Sequence, residues 1–453
     1  MLSSRALRSW LTWELAAFVL AVSFRLAAPW FNNSDRGYDV EQHVAYMQYI
    51  ADHKALPPLG ANWTAKHPPL YYGLTYGLNR LGLWPNFETK ALQILSLIFA
   101  VLRLGVFWWG LRRFVASGHA RVWALLLAGL LPCVVHGDGM VNNEVPNWLF
   151  GTLAIILMVD ALRAAPTIRQ SILLGLSFLL ALMTKVTGIL LGPAAAVGLG
   201  LSWWWLPKGE RKARILRPAV AVAVAFAVSL PVYARHYETS GGKIFPTWFD
   251  RSPESRAELD AMPPYLERRT ARYLFAPTFG SVWEKPWFPH AEGFWPILIA
   301  STFSDYYNYA FVAPRPGEEN FIANYRPLAL RTLNFMRATL PAGIAIALFT
   351  AIAFAVIALR SLRERDAGAL AALSVSALVL LGQLHFAIRI PKDDMGVVKG
   401  SYLQFGTAPL FVVWGLGMAW LYRRGGAWRA VFGLQAVALL TLLAYDLHAF
   451  WIL

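Results

Sequence analysis

The stretch YDVEQHVAYMQYIADHKALPPLGANWTAKHPPLYY, residues 38–72, decides how this chain is organised. It follows the first long apolar segment, 10–30, so we predict that it lies at a membrane surface. A loop that only joined two membrane helices would not need ionisable side chains at this density. We therefore expect the loop to carry half of an active site. Its candidate residues are Asp39, Glu41, His43, Lys66 and His67.

The composition indicates a protein whose main solvent is lipid. Of the 453 residues, 57% are hydrophobic and only 15% are charged, whereas a soluble protein of this size is about one quarter charged. Segment 10–30 has the length that a bilayer-spanning helix needs. It lacks a small-residue cleavage site, so we expect a retained helix. The single cysteine, Cys133, excludes disulfides within the chain and cysteine-ligated metal.

The net charge of +15 is distributed in a way that argues against nucleic acid. Basic residues cluster at every second connection between apolar segments, which is the pattern of cytoplasmic loops. We therefore predict a multi-pass protein of the cell inner (plasma) membrane, with a cytoplasmic N-terminus and residues 38–72 on the opposite side. The clusters lie at residues 5–8, 112–113, 163–169, 208–217, 360–365 and 423–429.

The apolar pattern predicts an all-α polytopic protein with about eleven transmembrane helices. A first module, 1–235, carries the outer loops 31–90 and 138–145; a long extracytoplasmic segment, 236–337, and the C-terminal helices, 338–453, follow. Within the long segment, 294–312 is predicted as a surface or re-entrant helix. The predicted spans are 10–30, 91–111, 121–137, 146–162, 170–184, 188–206, 217–235, 338–359, 367–389, 401–422 and 428–449.

The first outer loop begins with a predicted helix, 39–53, that lies on the membrane. Its apolar positions recur at helical spacing, and Asp39 shares a face with His43 while Glu41 projects on nearly the opposite side. Asp39 and Gln42 also fit a capping box, in which the carboxylate accepts hydrogen bonds from first-turn amides. A cap does not exclude catalysis, so both roles stay open. The apolar face comprises Val40, Val44, Met47 and Ile50.

Two basic residues, Lys66 and His67, stand directly before a pair of prolines that predicts the next helix start. They are candidates for contact with an anion, although snorkelling to the membrane surface explains them equally well. The following residues, Tyr71 and Tyr72, fit interfacial aromatic anchors.

The second outer loop is polar although it lies between two apolar spans. Its side chains can donate and accept hydrogen bonds to a hydroxyl-rich substrate. Capping of the helix before Pro146 is the alternative, and it explains one of these residues but hardly four. The four are Asp138, Asn142, Asn143 and Glu144.

Three further basic residues are predicted on the same side of the membrane. Lys185 interrupts the apolar run 170–206 and marks its outer turn. Ionisable groups at such depth are functional hypotheses by default, with snorkelling as the alternative. Arg235 ends a predicted span, and Lys399 precedes another, where it is suited to a lipid phosphate or to a plain interfacial position.

The order of these motifs resembles a known family. Asp39-x-x-x-His43, followed by His67-Pro-Pro-Leu-Tyr-Tyr72, is similar to the paired loop motifs of the aminoarabinose and protein O-mannosyl transferases, which are membrane glycosyltransferases of the GT-C fold. Asn142–Glu144 resembles the short motif of their second outer loop. Leu182–Gly188 resembles their Leu-x-x-Lys-x-x-Gly turn, and Lys399–Tyr402 resembles the start of a late helix.

The resemblance implies an inverting transfer of a sugar from a polyprenyl-phosphate carrier to an extracytoplasmic lipid, glycan or protein acceptor. The cofactor it allows is a divalent cation, Mg²⁺ or Mn²⁺, with no ligands assigned. Catalytic candidates are Asp39, Glu41 and His43. Candidates for binding the donor phosphate are Lys66, His67, Lys185, Arg235 and Lys399. Candidates for binding the acceptor or sugar are Asp138, Asn142, Asn143, Glu144, Tyr71 and Tyr402.

Two other classes of function fit the composition. A transporter or flippase of lipid-linked sugars would also be helical, basic and rich in aromatic residues, but it would keep its ionisable residues inside spans along a path. A non-catalytic protein of envelope assembly would use the loops only as binding surfaces. Most candidate residues lie in the predicted outer loops, which favours an enzyme.

Overall fold

The computed structural model describes residues 4–31, 34–35, 37, 39–83, 87–240, 242–243, 253–284, 293–306, 327–392 and 396–451. Tyr38 and the end of the predicted helix 294–312 lie outside these ranges. The regular elements in the described part are helices. The long ones of the first half are α1 (Ser4–Phe31), α4 (Thr89–Phe114), α5 (Gly118–Leu130), α7 (Glu144–Arg163), α8 (Ile168–Thr184), α9 (Leu191–Trp205) and α10 (Lys208–Thr239).

The second half and the loops complete the helices. The long helices are α15 (Pro327–Arg363), α16 (Ala367–Arg389), α18 (Thr407–Arg424) and α19 (Trp428–Trp451). The shorter helices are α2 (Val40–His53), α3 (Leu70–Arg80), α6 (Pro132–Asp138), α11 (Pro253–Asp260), α12 (Ala271–Phe275), α13 (Gly280–Glu284), α14 (Phe294–Phe303) and α17 (Gly400–Leu403).

The predicted all-α, multi-pass membrane architecture is confirmed. Among the described residues, nine helices are long and apolar enough to cross a membrane, or ten if the bent pair α5–α6 is one span. The remaining predicted span, 170–184, corresponds to α8, a 17-residue helix. That is the lower limit of the length that crosses a hydrocarbon core of about 30 Å.

The predicted straight span 121–137 is wrong in one respect, because the chain bends by 59° between α5 and α6. Leu131, the residue between them, is extended, with ψ at 114°, and Pro132 begins α6. A proline disfavours helical geometry in its predecessor and lacks an amide hydrogen. The bend brings the second outer loop back toward the bundle.

Helix α14 does not cross the membrane. Its ten residues span about 15 Å, half of the hydrocarbon thickness. Nine of the ten side chains are buried inside the protein. The described part of segment 294–312 therefore packs inside the protein, and its surface or re-entrant position relative to the membrane stays a prediction.

The basic clusters meet at one end of the bundle. Arg113 at the end of α4 pairs with Asp160 near the end of α7. Arg163 at the end of α7 pairs with Asp366, which caps α16. The guanidinium group of Arg214, near the start of α10, donates to the carbonyl oxygens of residues 162 and 163. The outer-loop helices lie at the opposite end.

The predicted amphipathic helix 39–53 is present as α2, but its apolar face packs on protein and not on lipid. Val40, Met47 and Ile50 are buried in a core cluster that also contains residues of α3, α4, α7, α8 and α10. The first outer loop therefore closes the outer end of the bundle.

Candidate active site

Asp39 directly precedes α2, and its side chain does not cap the helix. No hydrogen bond runs from a first-turn amide to its carboxylate. The predicted capping box is also absent, because the side chain of Gln42 accepts a hydrogen bond from the Trp63 amide instead. Asp39 has φ 61° and ψ 30°, in the left-handed region, which Asp and Asn tolerate better than other residues with a Cβ. The cap interpretation of Asp39 is wrong.

Asp39 is exposed to solvent, although protein atoms surround much of its carboxylate. Burial raises the pKa of this carboxyl, but basic neighbours lower it more, to a net value below the usual 3.8. Asp39 is therefore ionised at neutral pH. The basic neighbours are Lys399, His43, Lys66 and Lys185.

Lys185 lies at the turn after α8, where the sequence predicted it. The turn is tight: a Cβ on Gly188 would lie 2.5 Å from the carbonyl oxygen of Ala181, so only glycine fits there. The Lys185 ammonium group donates to Oε1 of Glu144 at 2.6 Å, and both side chains are buried. Glu144 begins α7, so the ion pair connects the second outer loop to the turn after α8.

Lys399 reaches the same region from the C-terminal half of the chain. The amide of Gly400 donates to the hydroxyl of Ser301 on α14 at 2.9 Å, and a Cβ on Gly400 would meet the Ser301 carbonyl oxygen at 2.5 Å. Helix α14 thus supports the part of the chain that carries Lys399. The ammonium groups of Lys399 and Lys185 lie 5.5 Å and 5.3 Å from the centre of the Tyr402 ring.

Burial affects the pKa of Lys399 more than the charges around it do. Burial lowers the pKa of its ammonium group, Asp39 and Glu144 raise it, and Lys185 lowers it, with a net result below the usual 10.5. Lys66, Lys185 and Lys399 therefore surround Asp39, with Glu144 as a second carboxylate. These three lysines come from distant parts of the sequence and lie near the same carboxylate.

Two histidines line the site as neutral rings. The Nδ1 atom of His43 lies 2.9 Å from the hydroxyl oxygen of Tyr72, and the His43 and His67 rings stack with centres 6.4 Å apart. Burial lowers the pKa of His43 to about 4. Burial, followed by the nearby lysines, lowers the pKa of His67 well below its usual value. Neither ring contributes a positive charge at neutral pH.

The two asparagines of the second outer loop form hydrogen bonds with the protein backbone. Oδ1 of Asn142 accepts from the amides of Glu144 and Val145, so this side chain caps α7. Nδ2 of Asn143 donates to the Thr184 carbonyl oxygen at 3.2 Å and holds the end of α8. Both residues position the Glu144–Lys185 pair, and the predicted role of Asn142 in binding an acceptor is replaced by capping.

Asp138 lies in a separate buried cluster. Its Oδ2 atom accepts from Nη2 of Arg103 at 2.6 Å and from Nε of Arg25 at 3.0 Å. The exposed fraction of the Asp138 side chain is 0%. A carboxylate enclosed in this way does not reach an acceptor, so the predicted binding role of Asp138 is corrected to an anchor beneath the loop.

Neither Arg25 nor Arg103 is among the site residues predicted from the sequence. Arg25 and Arg103 stand inside the predicted spans 10–30 and 91–111. Charged residues within apolar spans indicate paired or functional groups, so this feature of the sequence could have found them. Their partner, Asp138, is distant in sequence and became apparent only in the fold.

Three other predicted site residues are Glu41, Arg235 and Tyr71. Glu41 is exposed on α2. The guanidinium group of Arg235 donates to the Pro57 carbonyl oxygen at 2.6 Å and so holds the first loop against α10. Tyr71 is 1% exposed and packs edge-on against Tyr72, which leaves no ring face for a sugar. The predicted contacts of these residues with substrate stay predictions.

The described residues contain no group of three or more His, Cys, Asp or Glu side chains that could hold a metal ion. Mg²⁺ usually binds through only one or two carboxylates together with substrate phosphates, so the divalent cation stays a prediction. One oxygen of Glu144 is engaged by Lys185. The predicted Mg²⁺ or Mn²⁺ therefore has no assigned ligands here.

Comparison with known proteins supports the fold. No family model matches the sequence, and no curated protein matches it. Among solved structures, the chain is similar to the archaeal oligosaccharyltransferase AglB from Archaeoglobus fulgidus, in complex with an inhibitory peptide and a dolichol-phosphate. The identity is 14% and the TM-score 0.55, over 99% of this chain and 56% of that chain.

A second structure of the Archaeoglobus fulgidus oligosaccharyltransferase, in complex with Zn and sulfate, gives 14% identity and a TM-score of 0.53, over 96% of this chain and 53% of that chain. ArnT from Cupriavidus metallidurans, bound to undecaprenyl phosphate, gives 14% identity and a TM-score of 0.48, over 99% of this chain and 76% of that chain. The chain thus spans about half the length of the oligosaccharyltransferase chains. The fold is the GT-C fold of membrane glycosyltransferases, as the loop motifs predicted.

Proposed function

We propose that this protein is an inverting glycosyltransferase that moves a sugar from a polyprenyl-phosphate carrier to an extracytoplasmic acceptor. One observation carries the proposal: Lys66, Lys185 and Lys399 lie close enough to Asp39 to lower the pKa of its carboxyl. The GT-C fold supports the same class, and the similar archaeal oligosaccharyltransferase AglB is in complex with a dolichol-phosphate.

Asp39 is proposed as the general base. In the reaction, the acceptor hydroxyl oxygen forms a bond to the anomeric carbon, and the bond from that carbon to the phosphate oxygen breaks. The electron pair of the broken bond stays on the phosphate, and the hydroxyl proton passes to Asp39. Because the pKa of Asp39 lies below 3.8, the proton moves late, when bond formation has made the hydroxyl oxygen acidic.

The lysines are proposed to stabilise the departing lipid phosphate. Negative charge develops on the phosphate as it leaves, and fixed positive charges in a site that excludes water stabilise it far better than water does. Lys185 and Lys399, which share the Tyr402 ring, are suited to bind it together. A divalent cation, Mg²⁺ or Mn²⁺, stays a sequence-based prediction, and no step here uses one.

The buried charges within the bundle do not favour a transporter. A transport path needs ionisable groups that line a cavity. Arg25 and Asp138 are instead fully buried and paired with each other, and Nη2 of Arg25 also donates to the Ala128 carbonyl oxygen. Within the described residues, this cluster is a closed anchor between helices.

The proposal requires the site to lie outside the cytoplasm of a cell whose inner (plasma) membrane holds the protein. Topology reporters fused after Arg113, Arg163, Arg214 and Arg424 should report a cytoplasmic location, because the basic clusters remain there. A reporter fused within residues 250–290 should report the outer side. Alkaline phosphatase and fluorescent-protein fusions measure the two locations. A cytoplasmic result at 250–290 would separate the loops from the lipid-linked donor and contradict the proposal.

Purified protein should transfer sugar from a radiolabelled polyprenyl-phosphate donor and should bind polyprenyl phosphate itself. Lys185→Ala should weaken this binding at least about tenfold, because a hydrogen bond to a charged group contributes roughly 1.5–3 kcal/mol. Equilibrium binding of the radiolabelled lipid in detergent measures the effect.

The matched control is Lys90→Ala. Lys90 is an exposed lysine at the outer end of α4, and its removal changes the net charge equally. It should leave lipid binding unchanged. Equal losses of lipid affinity in the two variants would show that Lys185 contributes only through the net charge of the protein. The absence of both lipid binding and sugar transfer in the wild type would refute the proposed function.

A further inference from the structure

The ion pair between Glu144 and Lys185 is incompletely satisfied. Lys185 engages one carboxylate oxygen of Glu144 at 2.6 Å. The other oxygen, Oε2, is buried and has no hydrogen-bond partner among the described residues. A buried ion pair is stable only when further hydrogen bonds satisfy its remaining positions, so the pair is poorly stabilised for its depth.

A phosphate group would satisfy the lysines better than Glu144 does. Lys185 and Lys399 both lie against the Tyr402 ring, and a phosphate presents several strong acceptor oxygens that can contact both ammonium groups at once. Glu144 contacts only Lys185 through one oxygen. The carboxylate and a phosphate compete for the position beside the same ammonium group, because two anions held next to each other repel.

We propose that Glu144 holds the position on Lys185 that the lipid phosphate takes, and that the phosphate displaces it. The inference rests on the proposed function and adds a role for Glu144 that differs from the predicted binding of acceptor. Without lipid, Glu144 keeps the Lys185 side chain in place. After transfer, its return to Lys185 competes with the lipid phosphate product and speeds its release.

Glu144→Gln should therefore bind polyprenyl phosphate more tightly than the wild type, by about tenfold, because the amide competes for Lys185 more weakly than a carboxylate. The same substitution should not restore binding to the Lys185→Ala protein, because the competition acts through Lys185. Equilibrium binding of radiolabelled polyprenyl phosphate to purified full-length protein gives both values.

Two further variants separate displacement from other effects. Glu88→Gln removes a carboxylate that is exposed and makes no side-chain cap before α4, and it should leave the affinity unchanged. Glu144→Asp keeps the charge but shortens the side chain, so its affinity should fall between those of the wild type and Glu144→Gln. It also provides a test if the glutamine variant does not fold.

The outcomes are distinct. Unchanged or weaker binding in Glu144→Gln would overturn the inference and make Glu144 a residue that only positions Lys185. If Glu144→Gln also increases the affinity of the Lys185→Ala protein, the inference is overturned. The increase would then come from removing the negative charge of Glu144 and not from competition for Lys185. In both cases, lipid binding and sugar transfer by the wild type would still support the proposed function. The proposed function fails only if the wild type shows neither lipid binding nor sugar transfer.

Discussion

Asp39→Asn should lower the turnover of glycosyl transfer by roughly 10²-fold or more, in line with general-base contributions, while thermal stability stays nearly unchanged. The amide cannot take up the proton that the acceptor hydroxyl releases. The backbone of residue 39 is left-handed, and Asn tolerates this conformation about as well as Asp does. The measurement is turnover at saturating radiolabelled donor, with a thermal unfolding curve for each protein.

Asp39→Ala is the companion variant. It should lose the same turnover and, in addition, about 1 kcal/mol of stability, because alanine is strained in the left-handed region. The difference in stability between the two variants measures the backbone strain at residue 39. The loss of turnover that they share measures the contribution of the Asp39 carboxylate to catalysis. Near-wild-type turnover in Asp39→Asn would remove Asp39 as the base and leave Glu144 as the other carboxylate of the site.

Asp138→Ala should lower the free energy of unfolding by about 3–5 kcal/mol, the usual cost of leaving a buried charge without its partner. The substitution leaves two buried guanidinium groups, Arg25 and Arg103, without their shared carboxylate. Denaturant titration or thermal unfolding in detergent measures the change. Asp138 also ends α6 beneath the second outer loop, so the loop that holds Glu144 should lose order as well.

The matched control for this loss is Glu364→Ala. Glu364 pairs with Arg360 at 2.8 Å, with both side chains more than half exposed, and such pairs contribute about 0–1 kcal/mol. A small effect in both variants would show that the Asp138 cluster does not anchor the bundle.

Much of the fold follows from local sequence. Apolar runs of about twenty residues predict spans because lipid cannot satisfy exposed backbone groups. The alternation of basic clusters predicts which connections share a face, and the ion pairs of Arg113 and Arg163 bring those connections together. The turn at Lys185 and the helix start after Pro69 are also local, since proline and glycine restrict or permit backbone angles directly.

The arrangement of the site was not available from sequence alone. Periodicity gives the face of a helix on which a residue lies, but the partner on that face depends on how helices pack. Lys185 and Glu144 are 41 positions apart, and Arg25 and Asp138 are 113 apart. Asp39 looked like a cap because its local motif allowed one, yet the left-handed backbone directs the carboxylate elsewhere. The sequence by itself determined the membrane class and most of the spans. Only tertiary packing decided which charges meet, because a buried charge takes whichever partner the neighbouring helices bring within reach.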